Sequence, residues 1–129
     1  MVRIGSGVAA AALAVGAVLA PSASAAPSSP FVGTWASTDT DGSHQTMRIS
    51  GSGQGALAVT YLDDDATVCG HTPARFAGPG EVDGDTLVAR VLLVCTPGGN
   101  VFGHIEIVTW YLPGTDQLTE PSGVVWSRT

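Results

Sequence analysis

The side chains that could carry chemistry in this sequence are three histidines, eleven acidic residues and two cysteines. His44, His71 and His104 lie in or beside three different segments, so we favour solvent-facing or backbone-bonded histidines over a shared metal site. The chain has no G-x-S-x-G, H-E-x-x-H or P-loop motif, and no G-x-G-x-x-G that precedes a helix. We therefore predict a protein that is not an enzyme and that has no catalytic residues, metal or cofactor.

Two acidic segments could in principle hold a cation. Residues 39–43, Asp-Thr-Asp-Gly-Ser, resemble the start of a calcium loop, but the later positions lack the glycine and the glutamate that such loops require. We interpret this segment as a β-turn. Residues 63–65 are three adjacent aspartates whose side chains point in different directions, so we expect a solvated loop there rather than a cation site.

The two cysteines predict one disulfide. Cys69 and Cys95 are the whole cysteine content, and an even count downstream of a leader is typical of oxidised, exported proteins. Closing this stretch of chain would stabilise the fold by roughly 3 to 4 kcal/mol. A redox role is disfavoured because the chain has no C-x-x-C motif.

The start of the chain has the pattern of a secretory leader. A positive charge at Arg3 precedes an apolar run over 8–20, and Ala23-Ser24-Ala25 is a small-residue processing site. The apolar run is too short to span a bilayer, so we expect a secreted, extracellular protein with no membrane insertion. The predicted organisation is a signal peptide over 1–25, a linker over 26–30 and one β-barrel domain over 31–129.

Charge disfavours two classes of partner. Removing the leader also removes Arg3, so the formal charge falls from −6 to −7. Nucleic acid and anionic membranes both require a basic footprint, and we expect neither as a partner. A small-molecule ligand is compatible with this charge, and a partner protein is left unspecified.

The elements that must position any site are strands. Turn signals recur at roughly 8–12-residue spacing, and no segment has the periodicity of an amphipathic helix. We predict an all-β fold, a single antiparallel meander of about eight strands that closes into a small barrel. The predicted strands are 31–37, 44–50, 55–63, 74–82, 86–96, 100–112 and 117–128, the last with a break at 121–123, and a short piece at 66–70.

The turns also predict strand register. A two-residue turn at Asp83-Gly84 would place Phe76 opposite Val91 and Gly78 opposite Ala89 on the inner face.

The next turn, Pro97-Gly98-Gly99, suits a three-residue loop. It would place Val91 opposite Ile105 inside the barrel and Arg90 opposite Glu106 outside it, where the exposed charges contribute at most about 1 kcal/mol. A slip of one residue would mix the two faces.

Two stretches resemble a known superfamily. Gly33-Thr34-Trp35 is similar to the G-x-W opening of the calycins, which include lipocalins and avidins, and residues 55–61 resemble the avidin pattern G-A-L-x-x-T-Y. The resemblance implies a secreted barrel that binds small ligands in its mouth. It also implies that Tyr61 matches a tyrosine that hydrogen-bonds biotin, that Ser37 stands where avidins have an asparagine, and that Ser43 matches a serine of the first turn.

The lipocalin resemblance further implies how the barrel closes. In that family the G-x-W tryptophan packs at the closed end beneath an arginine from the last strand, and Arg128 occupies that position here. We predict that Arg128 lies within about 6 Å of the Trp35 ring and gains a cation–π attraction. Gly33, two residues earlier on the same face, would leave room for the guanidinium.

Two classes of function follow. The first is a binding module for a small apolar or amphiphilic ligand, with Tyr61, Trp110 and Phe102 as candidate lining residues. The alternative is a structural or interaction protein of the cell envelope with a filled barrel and no ligand. Biotin binding is a more remote alternative. A cleft of several hundred cubic ångströms that opens to the surface would favour binding, and a filled interior would favour the structural alternative.

Overall fold

The protein is a closed antiparallel barrel in the computed structural model, which describes residues 16–21, 29–52 and 56–129. Within those residues, eight strands follow one another as a meander, and β8 pairs with β1 to close the sheet. The all-β barrel predicted from the sequence is confirmed. The strands are β1 (Gly33–Thr38), β2 (His44–Ser50), β3 (Ala56–Ala66), β4 (Thr72–Asp83), β5 (Thr86–Cys95), β6 (Asn100–Leu112), β7 (Gln117–Thr119) and β8 (Val125–Arg128).

Part of the predicted organisation lies outside the described residues. The processing site Ala23-Ser24-Ala25, linker residues 26–28 and Gly55 of the avidin-like stretch all fall there. In the described part of the chain, no helix is long and apolar enough to cross a membrane.

Alternation of side chains builds the core. Along β2, buried Gln45, Met47 and Ile49 alternate with exposed residues, because neighbouring side chains on a strand point to opposite faces of the sheet. The same alternation in the other strands fills the interior. The largest fully buried side chains are Trp35, Trp126, Phe31, Met47, Ile49, Leu87, Leu118, Val59, Val91 and Thr109.

The predicted register between β5 and β6 is confirmed as far as Leu93, but the predicted three-residue loop is wrong, because Cys95 pairs with Asn100 and leaves four residues, 96–99, between the strands. Arg90 lies opposite Glu106 on the outer face, and Val91 lies opposite Ile105 inside. A bulge near the start of β6 makes Phe102 the extra residue, since Leu93 pairs with Gly103 but the next residue of β5 pairs with Val101. In the described residues, ion pairs within 4.0 Å are found only at His71–Asp65 and Arg128–Asp116, so Arg90 and Glu106 face each other without a close ion pair.

The predicted register between β4 and β5 is wrong by two residues. The turn is Gly84-Asp85, because Asp83 pairs with Thr86, and Phe76 therefore lies opposite Leu93 rather than Val91. The inner face survives this error because a shift of two residues returns each side chain to the same side. Gly84 has φ of 60°, the left-handed conformation that a tight turn requires.

The three consecutive aspartates do not form a loop, which corrects the prediction for residues 63–65. They continue β3, whose pairing with β4 is interrupted by a bulge between Asp63 and Ala66. Their side chains do point in different directions, and Asp63 is turned inward with only 7% of its surface exposed. After β3 a short 3₁₀ turn, Thr67–Cys69, replaces the strand piece predicted at 66–70.

The predicted disulfide is confirmed. Cys69 and Cys95 are bonded, with 5.5 Å between their Cα atoms. The bond fastens the 3₁₀ turn to the end of β5. Both elements lie at one end of the barrel, where the connection between β3 and β4 meets the end of β5.

Candidate functional site

The two ends of the barrel differ in construction. We call the end that carries the β1–β2, β3–β4, β5–β6 and β7–β8 connections the mouth. The opposite end, with the remaining turns and the end of β8, is the base. In an antiparallel meander successive connections alternate between the two ends, so the sequence order alone assigns each turn to one end.

The base is closed by a packed tryptophan and an arginine. Trp35 is fully buried, and the Arg128 guanidinium carbon lies 4.1 Å from its ring centroid. The predicted cation–π contact is thus present, and it is worth roughly 0.5 to 2 kcal/mol. Arg128 also donates hydrogen bonds to the carbonyl oxygens of Val32 at 2.7 Å and Pro30 at 2.8 Å.

An acid completes the base. Asp116 accepts hydrogen bonds from Arg128 Nε at 2.9 Å and from Arg128 Nη2 at 3.0 Å, and these bonds lower the pKa of the Asp116 carboxyl. A side chain at Gly33 would collide with the same guanidinium, so the predicted need for a small residue there is confirmed. Phe31 is fully buried beside this cluster, and its carbonyl accepts the Trp35 indole N–H at 2.9 Å.

The mouth is lined by an aromatic cluster. Tyr61 stacks on Phe76 with 4.5 Å between ring centroids, and the edge-to-face partner of Tyr61 is Trp126 at 5.2 Å. Trp126 is fully buried. The rings are held by adjacent strands, since Tyr61 of β3 pairs directly with Phe76 of β4.

Two clefts open beside this cluster and share Phe76 and Ile105 as walls. One has a volume of about 270 Å³ and the other about 400 Å³. Both values lie near the lower end of the range for small-molecule sites, roughly 300 to 1,000 Å³. The smaller cleft is lined by Asp39, Asp41, Asp63, Ala66, Thr67, Val68, Phe76, Leu93, Phe102 and Ile105, and the larger by Tyr61, Phe76, Ile105, Glu106, Ile107, Val108, Glu120, Pro121 and Ser122.

Two carboxylates at the mouth are held by one amide. Gln45 Nε2 donates to Asp39 Oδ2 at 3.1 Å and, more weakly, to Asp63 Oδ2 at 3.4 Å. Gln45 is only 4% exposed, and its Oε1 has no hydrogen-bond partner in the described residues. A neutral amide satisfies hydrogen-bonding capacity but does not cancel the charge of either aspartate.

A third carboxylate faces the aromatic cluster. Glu120 Oε1 accepts the Trp126 indole N–H at 2.7 Å. Burial raises the pKa of the Glu120 carboxyl against the lowering effect of this hydrogen bond, and the charge of Asp39 raises it further.

The pKa of the Tyr61 hydroxyl is raised by its surroundings in the mouth. Burial raises the pKa of Tyr61 strongly, and the nearby carboxylates of Asp63, Glu120 and Asp39 add to the shift. Among residues 29–52 and 56–129 the hydroxyl makes no hydrogen bond within the mouth. It is therefore a neutral donor and acceptor that remains free for another molecule.

The candidate ligand residues are separated by the fold. Tyr61 and Phe102 both line the mouth clefts, although Phe102 is 61% exposed. Trp110 does not join them. It is on the outer surface, where it pairs with Thr86 next to a turn of the base, which corrects its expected position in the mouth.

The two serines suggested by the avidin resemblance also have defined positions. Ser37 donates its hydroxyl to the carbonyl oxygen of Val125 at 2.8 Å and so links β1 to the last strand. Ser43 is buried in the first turn of the mouth, and its hydroxyl has no partner in the described residues.

Three residues of the mouth were not identified as candidate site residues from the sequence. Asp63 was hidden in a run of aspartates, although its inward phase follows from Tyr61 two residues earlier on the same strand. Gln45 and Glu120 gave no such signal, because their importance arises from contacts with residues distant in sequence.

The chain is therefore an eight-stranded meander barrel with a sealed base and an acidic, aromatic mouth, compatible with a calycin-like fold. Searches found no matching family model, no matching curated protein and no matching solved structure. Within the described residues, no group of three or more histidines, cysteines and acids is arranged to hold a metal ion.

Proposed function

We propose that this protein is a secreted, non-catalytic, calycin-like binding module that takes one small amphiphilic molecule into the mouth of its barrel. The observation that carries the proposal is the pair of clefts that meet at Phe76 and Ile105. They combine apolar walls with a few convergent polar groups, which is the usual composition of small-molecule sites.

The filling of the barrel limits the ligand to the mouth. Trp35 and Phe31 are fully buried at the base, and Trp126 is fully buried in edge-to-face contact with Tyr61. A ligand would therefore rest on the Tyr61–Phe76 stack instead of passing through the barrel. The free Tyr61 hydroxyl is available to orient its polar part.

The test is to locate binding by NMR. The full secreted protein, labelled with ¹⁵N, is titrated with small aromatic alcohols, and molecules that co-purify with it are identified by mass spectrometry. We expect amide shifts to move at Phe76 and Ile105, and the indole N–H of Trp35 at the base to stay in place.

A filling substitution provides the matched control. Ile105→Trp adds bulk to both clefts and is expected to abolish binding, whereas Val88→Trp introduces the same side chain on the outer surface and is expected to preserve binding. Shifts that map to the outer surface, or binding that survives Ile105→Trp in a folded protein, would contradict the proposal.

The filled interior also supports the alternative of a structural or interaction protein of the cell envelope. Its core is a contiguous cluster of buried apolar side chains that fills the barrel. Absence of any ligand in the co-purification experiment, together with no shift at the mouth in the titrations, would favour this second function. Biotin, the ligand that the avidin resemblance suggests, is included in the same titrations.

A further inference from the structure

We infer that the mouth selects an organic ammonium ion that carries a small apolar body. This inference rests on the proposed function, because it assigns a ligand class to the same site. It is based on several carboxylates that lie beside aromatic side chains, and on the Gln45 amide oxygen, which accepts no hydrogen bond in the described residues.

In the described residues, the carboxylates that line the two clefts, Asp39, Asp41, Asp63 and Glu120, have no cationic partner within 4.0 Å, and a histidine of this end, His71, is paired with Asp65 outside both clefts. Asp39 and Asp63 share one neutral amide, and Glu120 is bonded to a neutral indole. The sequence contains no lysine, and in the described part of the chain no arginine lines either cleft. A bound cation would gain from several negative charges in a partly desolvated site.

The buried amide is the second observation. Gln45 uses Nε2 for the two aspartates, while its Oε1 has no donor among the described residues. Asp39 and Asp63 line the smaller cleft, Tyr61 and Glu120 line the larger one, and the buried Gln45 is bonded to both aspartates of the smaller cleft. An ammonium group has three donors and no acceptor, so it is the chemical complement of such a site.

The walls indicate an organic cation. Tyr61 and Phe76 present stacked rings, and Phe102 adds a third aromatic side chain at the rim. Aromatic faces attract ammonium ions, and Leu93 and Ile105 offer apolar surface to the rest of the molecule. The carboxylate oxygens of the clefts would also suit a hard metal ion, so the test includes calcium as a competitor.

The test compares three molecules with the same body. Isothermal titration calorimetry of the full secreted protein is performed with 3-phenylpropan-1-amine, 3-phenylpropan-1-ol and 3-phenylpropanoate. We expect the ammonium ion to bind about tenfold more tightly than the alcohol, and the carboxylate most weakly. Raising the salt concentration from about 0.05 to about 0.5 M should weaken binding of the ammonium ion and leave the alcohol nearly unchanged.

Charge-neutralising variants assign the preference to the mouth. Asp63→Asn and Glu120→Gln should each weaken ammonium binding about threefold to tenfold more than they weaken alcohol binding. Asp83→Asn removes the same charge from the last residue of β4, at the base, and should change neither. If a mouth variant also loses alcohol binding, its fold has changed, and the salt series on the natural protein decides.

The outcomes separate this inference from the proposed function. If none of the three molecules binds, the proposed function fails. If the alcohol or the carboxylate binds as tightly as the ammonium ion, the site stands and its selectivity for ammonium is wrong. Displacement of the ammonium ion by calcium chloride, beyond that by sodium chloride of equal ionic strength, would identify a metal site instead.

Discussion

At the base of the barrel, the Arg128 guanidinium donates to two backbone carbonyls and to both oxygens of Asp116, and it lies on the face of Trp35. At the mouth, Asp63 and Glu120 receive only neutral donors. The barrel thus pairs the acid of the base with an arginine, whereas these two acids of the mouth clefts are bonded to neutral groups, and the ion pair at that end, His71–Asp65, lies outside both clefts. A satisfied network rigidifies the structure, whereas unmatched charge costs stability and is characteristic of functional sites.

The largest loss of stability is expected when the tryptophan that closes the base is truncated. Trp35→Ala should lower the free energy of unfolding by about 3 to 5 kcal/mol, because it removes a fully buried indole and the surface on which Arg128 rests. Trp110→Ala, which truncates a tryptophan 40% exposed on the outer surface, is the control and should cost less than about 1 kcal/mol. Urea unfolding measures both, and equal losses would show that the base has no special role.

The second effect tests the framework of the mouth. Replacing Cys69 and Cys95 together by alanine should cost about 3 kcal/mol, since the bond closes a sequence separation of 26 residues. Because Thr67 and Val68 line a mouth cleft next to this bond, ligand affinity should also fall. Unfolding in guanidinium chloride, with and without reductant, tests the first part. An unchanged midpoint after complete reduction would refute it.

A smaller loss of stability is expected when a side chain is added at Gly33 of the base. Gly33→Ala should destabilise the protein by roughly 1 to 3 kcal/mol, because φ is 148° there and a methyl group would displace the Arg128 guanidinium. Gly114→Ala is the matched control, as nothing lies within 4 Å of its added carbon, and it should change stability by less than about 1 kcal/mol. Thermal unfolding of the two variants provides the comparison, and equal midpoints would count against the packing of Arg128.

The smallest expected effect is that Asp116 and Glu120 change the stability of the protein with pH in opposite directions. The lowered pKa of Asp116 means that its contribution to stability is present above its ordinary value of 3.8 and is lost as pH falls through the folded value. The raised pKa of Glu120 means the reverse: its contribution is present below its ordinary value of 4.5 and is lost as pH rises through the folded value.

Two amide variants measure this difference. Relative to the natural protein, Asp116→Asn should lose stability at neutral pH but not at strongly acidic pH, whereas Glu120→Gln should gain stability at neutral pH. Urea unfolding across the acidic range gives both profiles. Profiles of the same sign would remove the electrostatic contrast between the two ends.

Much of the fold could be predicted because a strand has a local signal in the sequence, the alternation of apolar and polar side chains. The alternation of His44–Ser50 and the pairing of Arg90 with Glu106 both follow from a side-chain period of two. The turn at Gly84-Asp85 was misplaced because Asp83-Gly84 and Gly84-Asp85 are both acceptable as turns, and the choice between them depends on packing along the whole strand.

The candidate site was less predictable. Tyr61 was identified through the avidin resemblance, and Phe102 through its aromatic character. The position predicted for Trp110 was wrong. Alternation along a strand predicts which face of the sheet a side chain lies on, but not how close that side chain lies to the mouth. A strand in a closed barrel is tilted against the axis, so direct partners on neighbouring strands lie at different heights.

The sequence by itself predicted most of the strands, their inner and outer faces and the disulfide, since these follow from alternation and from the two cysteines. The contact of Arg128 with Trp35 was implied by the lipocalin resemblance. Only the tertiary structure decided the character of the mouth. Gln45, Asp63 and Glu120 come from three strands or turns that closure brings together. Their shared electrostatic field depends on distances through space, which no local pattern encodes.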